Sequence, residues 1–131
     1  MKFSSIAIWI LRLLAAIILL QTLYFKFTAH PQSVQIFETL GMEPWGRIGT
    51  GIFELLTAIL LLYPRTTGFG AALGVGLMSG ALFFHFTKLG IEVDGDPLLF
   101  IYGLITFVCC LLLLFIYRDQ LLNLIKKRQL L

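Results

Sequence analysis

Ile48-Gly-Thr-Gly-Ile-Phe-Glu54-Leu-Leu-Thr-Ala-Ile-Leu-Leu-Leu62 is an apolar run with one carboxylate in its middle. Its length suits a helix crossing a bilayer. An acid at that depth costs at least a few kcal/mol unless it is neutralised, paired or hydrated. Glu54 therefore needs a partner from elsewhere in the chain, or it has a task.

The surrounding composition agrees with a membrane setting. The chain has 131 residues, 59% of them hydrophobic and 13% charged, and a mean hydropathy of +0.94. Soluble domains average about 45–50% apolar and about 25% charged residues, so this is an integral membrane protein. Four stretches have spanning length: Ser5 to Phe27, Gly46 to Tyr63, Thr67 to Thr87 and Pro97 to Tyr117. At 1.5 Å rise per residue each approximates the ~20 residues a helix needs. Open strands are excluded, because lipid leaves their backbone groups unsatisfied. The expected fold is all-α, a transmembrane four-helix bundle forming a single domain over residues 1–131. Arg12 interrupts the first span, which argues for a retained helix and against a cleaved signal peptide.

Charge sets the expected orientation. The termini and the Pro64 turn carry Lys2, Arg65, Arg118, Lys126, Lys127 and Arg128 against Asp119. The opposite side carries Lys26, Arg47 and Lys88 against Glu38, Glu43, Glu92, Asp94 and Asp96. The positive-inside rule places both termini in the cytoplasm. Residues 118–131 read as a basic amphipathic cytoplasmic tail that lies on anionic headgroups, with no nucleic-acid role. Ser33 to Met42 reads as a short interfacial helix on the outer face, with Trp45 as its headgroup anchor. Asp94-Gly95-Asp96 is an acidic turn, lacking the remaining ligands of a calcium loop.

The polar residues inside the spans are the candidate site. Arg12 and Lys26 lie fourteen residues apart on one face of the first helix; either has the reach to pair with Glu54, and Glu54 is expected to face both in the interior. Glu54 has two further readings, as a ligand contact or as a proton-exchanging acid. Gln21 and Tyr24 occupy another face of that helix. His85 ends the third span, and Tyr102, Thr106 and Cys109 form a polar stripe on the fourth. Together Arg12, Gln21, Tyr24, Lys26, Glu54, His85, Tyr102 and Thr106 outline either a small pocket opening outward or a satisfied polar core. His85 has no second His or Cys at ligand spacing, so no metal is expected. Cys109 and Cys110 are adjacent and apolar in context, and they read as buried thiols. The third span holds Gly70-Ala-Ala-Leu-Gly74 and Gly76-Leu-Met-Ser-Gly80, small-residue spacings that suit packing within the bundle or a homo-oligomer.

The order of these pieces resembles the DoxX-like family of small four-helix membrane proteins. The matching residues are Arg12 and Lys26, Phe37-Glu-Thr-Leu-Gly41, Gly49-Thr-Gly51-Ile-Phe-Glu54-Leu, Pro64-Arg65, and Ala81-Leu-Phe-Phe-His85-Phe-Thr-Lys-Leu-Gly90 with Gly95-Asp96 beyond it. The resemblance implies a bacterial inner-membrane protein in a redox system that meets quinone, since the family is named for a subunit associated with thiosulfate:quinone oxidoreductase. It also implies an alternative, a membrane assembly factor or chaperone, the role that related animal proteins resemble. The chain has no CxxC and no ligand set for haem, flavin or an iron–sulfur cluster. The expectation is a non-catalytic subunit that binds a quinone or lipid-like molecule non-covalently in its outer half, with His85 or Tyr102 donating hydrogen bonds and Glu54 polarising it or exchanging a proton, and that leaves chemistry to a redox partner. A proton-coupled solute transporter is the weaker alternative, because the broken helices and repeats of such folds are missing.

Overall fold

The computed structural model describes residues 4–92 and 97–123. The Asp94–Asp96 turn and the basic tail beyond residue 123 lie outside them. Among the described residues the principal α-helices are, in order, α1 (Ser5–Phe27), α2 (Pro31–Thr39), α3 (Trp45–Leu62), α4 (Thr67–Phe84) and α5 (Leu98–Ile116). A π-helical turn, His85–Leu89, prolongs α4. Among the described residues four helices, counting α4 with its π turn, are long and apolar enough to cross a membrane.

The four long helices form a ring in which α1 packs on α3 and α5, and α4 packs on the same two. Short connections make neighbours antiparallel, the usual up-down arrangement of a bundle. Ala15, Ala16, Leu19, Ala58, Leu61, Ala71, Cys110 and Leu113 fill the centre. Large apolar side chains such as Ile17, Ile52, Phe53, Ile59, Phe83 and Leu111 point outward. Buried polar groups, among them Arg12, Arg47, Glu54, His85 and Thr106, lie inside. This outward apolar surface with polar groups sequestered within is what a lipid solvent demands.

Helix ends are satisfied by specific partners. Ser4 caps α1, its hydroxyl accepting from the Ala7 N–H at 3.1 Å, as N-cap serines do. At the other end the His30 N–H donates to the Phe25 carbonyl at 3.0 Å, and Ala29 holds a left-handed φ of 54°. That is a Schellman closure with alanine where glycine is usual. His30 then starts α2, its Nδ1 accepting from the Gln32 N–H at 3.2 Å, with Pro31 in the first turn. The helix starts two residues before the sequence expectation because this cap and proline favour it.

Two glycines of α4 permit close helix approaches. A β-carbon on Gly74 would meet Cys110 Sγ at 2.5 Å, and one on Gly70 would meet the Leu61 backbone nitrogen at 2.8 Å. The first small-residue pair of α4 is thus used against α5 and α3 within the chain. Gly76 and Gly80 have open space beside them. Across the ring's other end, the Gly68 N–H donates to Gln120 Oε1 at 2.8 Å, and Gln120 Nε2 donates to the Pro64 carbonyl at 2.7 Å. Gln120 thereby supplies the cap that the start of α4 lacks locally.

Candidate functional site

Glu54 is buried on the α3 face that meets α1. Lys26 Nζ lies 3.2 Å from its Oε1, and the Thr22 hydroxyl is 3.0 Å from its Oε2. Thr22 and Lys26 stand four residues apart, so consecutive turns of α1 present both groups to one carboxylate. The side chains are 13% exposed for Lys26 and 4% for Glu54. The lysine is in the last turn of its helix, and its ammonium is turned to Glu54. The Thr22 hydroxyl is also 2.9 Å from the Leu19 carbonyl, so its one proton has two acceptors within reach.

Arg12 corrects the expectation that it shares Glu54 with Lys26. Its Nε donates to the Leu61 carbonyl at 2.7 Å and its Nη2 to the Leu62 carbonyl at 2.6 Å. The guanidinium also stacks over Trp9, 3.8 Å from the ring centroid. The reason is depth. Glu54 is level with Thr22, ten residues from Arg12, which at 1.5 Å per residue is about 15 Å along the axis. The α3 C-terminus, with its negative dipole end and free carbonyls, lies beside Arg12 instead. Thr66 and Thr67 serve the same end, donating to Leu60 at 2.9 Å and to Leu61 and Tyr63 at 3.2 and 3.0 Å.

Arg47 repeats the device at the opposite end. Its Nε forks onto both Glu43 carboxylate oxygens at 2.9 and 3.0 Å, its Nη2 lies 2.9 Å from Glu43 Oε1, and its Nη1 donates to the Lys26 carbonyl at the end of α1. The antiparallel α1–α3 pair is thus clamped at each end by an arginine on the partner helix's last carbonyls, with the Lys26–Glu54 pair between. The sequence reading assigned Arg47 only a surface charge. The i,i+4 spacing of Glu43 and Arg47, and that of Thr22 and Lys26, were the available signals.

On α4 the helix widens into the π turn at His85, which is buried. His85 Nδ1 is 2.9 Å from the Gly90 carbonyl oxygen, and its ring meets Phe100 edge-on with centroids 5.6 Å apart. Single π turns often mark functional positions. On α5, Thr106 is fully buried and its Oγ1 has no hydrogen-bond partner among the described residues. Other helix threonines differ: Thr28, Thr39, Thr57 and Thr87 each donate to the carbonyl four residues back. An unpaired buried hydroxyl costs about 1–3 kcal/mol, and such an exception calls for an explanation.

These groups surround one cavity of about 460 Å³, within the ~300–1,000 Å³ range of small-molecule sites. Gln21, Lys26, Glu54, His85, Tyr102 and Thr106 all line it. The remaining walls are largely apolar, from Ile18, Leu77, Met78, Phe84 and Leu99. His30, Gln32, Ser33, Ile36 and Phe37 of the short α2 cover one end, a contribution the sequence did not disclose. Of the eight expected residues, Arg12 and Tyr24 do not line the cavity. Arg12 serves the α3 terminus, and Tyr24 is 67% exposed on the outer surface of α1. Cys109 and Cys110 are free and buried.

The model of the DoxX-like family matches residues 10–116, a segment that holds all four spans apart from the first turn of α1. No curated protein and no solved structure matches the chain.

Proposed function

The chain belongs to the DoxX-like family and is a membrane protein with four spanning helices; on that premise we propose that it binds an uncharged amphiphile, a quinone or lipid-like molecule, in the cavity lined by α1 to α5. It acts as a non-catalytic subunit supporting a membrane redox complex. Both termini are cytoplasmic, in keeping with the Lys and Arg bias of the terminal side, and the membrane is a bacterial inner membrane. The binding site then lies toward the outer leaflet, beneath α2.

The observation that carries this is the unpartnered Thr106 hydroxyl on the wall of a largely apolar cavity. A structural core would satisfy that group or replace it with an apolar side chain. The only carboxylate on the wall among the described residues, Glu54, already has Lys26 as its partner, so the wall carries no uncompensated charge for an ionic ligand. An uncharged head with a hydrogen-bonding oxygen, followed by an apolar tail, matches both features.

The test is an organic extract of the purified protein, analysed by mass spectrometry. Wild type is expected to yield an isoprenoid quinone or lipid in near-stoichiometric amount. Gly103→Leu fills the cavity, since a β-carbon there meets nothing closer than Leu82 at 3.9 Å. That variant is expected to lose the molecule while remaining folded. Equal yields from both proteins would refute the site.

A further inference from the structure

His85 lines the cavity, and its two ring nitrogens have different surroundings. Its Nδ1 lies 2.9 Å from the Gly90 carbonyl oxygen. A carbonyl oxygen only accepts, so Nδ1 carries the hydrogen and donates. Gly90 makes this contact feasible, because its φ of 79° lies where residues with a β-carbon are strained. The five-residue separation of His85 and Gly90 is also the spacing that the π turn closes. In the neutral ring the remaining nitrogen, Nε2, is then a bare acceptor. Among the described residues no protein donor is paired with it, and His85 is a cavity wall residue.

An acceptor on the wall calls for a donor on the ligand. A quinone carbonyl or an ether oxygen offers none; a phenol, quinol or alcohol does. A hydroxyl on the ligand can give its proton to His85 Nε2, and Tyr102 lines the same cavity. Phe84 and Leu99 supply apolar wall beside this group.

We propose that the cavity selects a hydroxyl-bearing amphiphile over its ether or carbonyl counterpart, with the ligand O–H donated to Nε2 of His85. This rests on the cavity being an amphiphile site and narrows the ligands proposed above to those with a hydroxyl head, which for a quinone means its reduced quinol form.

The probes are 4-decylphenol and its methyl ether, titrated into the full-length protein in detergent. The phenol is expected to bind about tenfold tighter or more, because a site built to pair a hydroxyl rejects the analogue lacking it. In His85→Phe, which retains an aromatic ring against Phe100, the ratio is expected to fall to about twofold or less, the loss of one such pairing. Wild type supplies an independent readout through ¹⁵N-labelled histidine. His30 Nδ1 accepts from the Gln32 N–H, so the two histidines are opposite tautomers and are told apart in the spectrum. Phenol binding is expected to move the His85 Nε2 resonance and leave Nδ1 in place. Equal affinities for the two probes, or an unmoved Nε2, overturn the head-group assignment while leaving an amphiphile site standing. Failure of both probes to bind overturns the site as well.

Discussion

Lys26 and Glu54 meet across the α1–α3 interface, Nζ 3.2 Å from Oε1, with Thr22 on the carboxylate's second oxygen. Removing the cation alone strands a buried charge, which typically costs about 3–5 kcal/mol. Lys26→Met is therefore expected to lower thermal stability in detergent sharply. Lys26→Met combined with Glu54→Gln removes both charges and is expected to recover most of that loss. A double variant no more stable than Lys26→Met would show that the pair carries no coupling.

Arg12 grips the Leu61 and Leu62 carbonyls at once. Lysine has no planar fork to do so. Arg12→Lys is expected to lose one charged hydrogen bond, about 1.5–3 kcal/mol, seen as a lower unfolding midpoint. Ligand content of the folded fraction should not change, since Arg12 lies away from the cavity. A loss of ligand at unchanged stability would reverse that assignment.

Gly74 and Gly76 are both small positions on α4 with opposite surroundings. A methyl on Gly74 runs into Cys110 Sγ, whereas one on Gly76 meets nothing within 4 Å. Gly74→Ala is expected to destabilise by about 1–3 kcal/mol through overpacking, and adding Cys110→Ala should relieve it. Gly76→Ala should leave the unfolding midpoint unchanged. If Gly76→Ala instead lowers it, the space beside Gly76, which lines the cavity, is filled in solution.

Thr106 separates stability from binding. Thr106→Val keeps the shape and deletes the unpaired hydroxyl. The ligand-free protein is expected to become more stable by about 1–3 kcal/mol, while retained amphiphile decreases. A stability loss on the same substitution would indicate that the hydroxyl is paired within the fold.

The spans were legible because lipid imposes a length and composition on them, and α1 carries the predicted boundaries, Ser5–Phe27. Lys26 as a partner for Glu54 was legible from depth and face. The competing claim of Arg12 was not excluded by helical spacing, because the choice depends on where α3 ends and how it slides against α1. Those quantities are set by Gly70, Thr66 and Thr67 at the next turn, through contacts between helices. The π turn was also hidden, since its five-residue register arises where His85, Gly90 and Phe100 meet. The contribution of α2 to the cavity depends on its packing beside α1, α3 and the π turn, and no periodicity encodes that.

The central claim is that an amphiphile occupies the cavity lined by α1 to α5. The most direct measurement is photolabelling with a diazirine-bearing decylphenol in membranes, followed by peptide mapping. The expected labels fall on Gln21, Tyr102 and Gly103, and unlabelled decylphenol competes them away. Labels confined to outward side chains such as Ile17, Phe53 and Leu111, without competition, would contradict it.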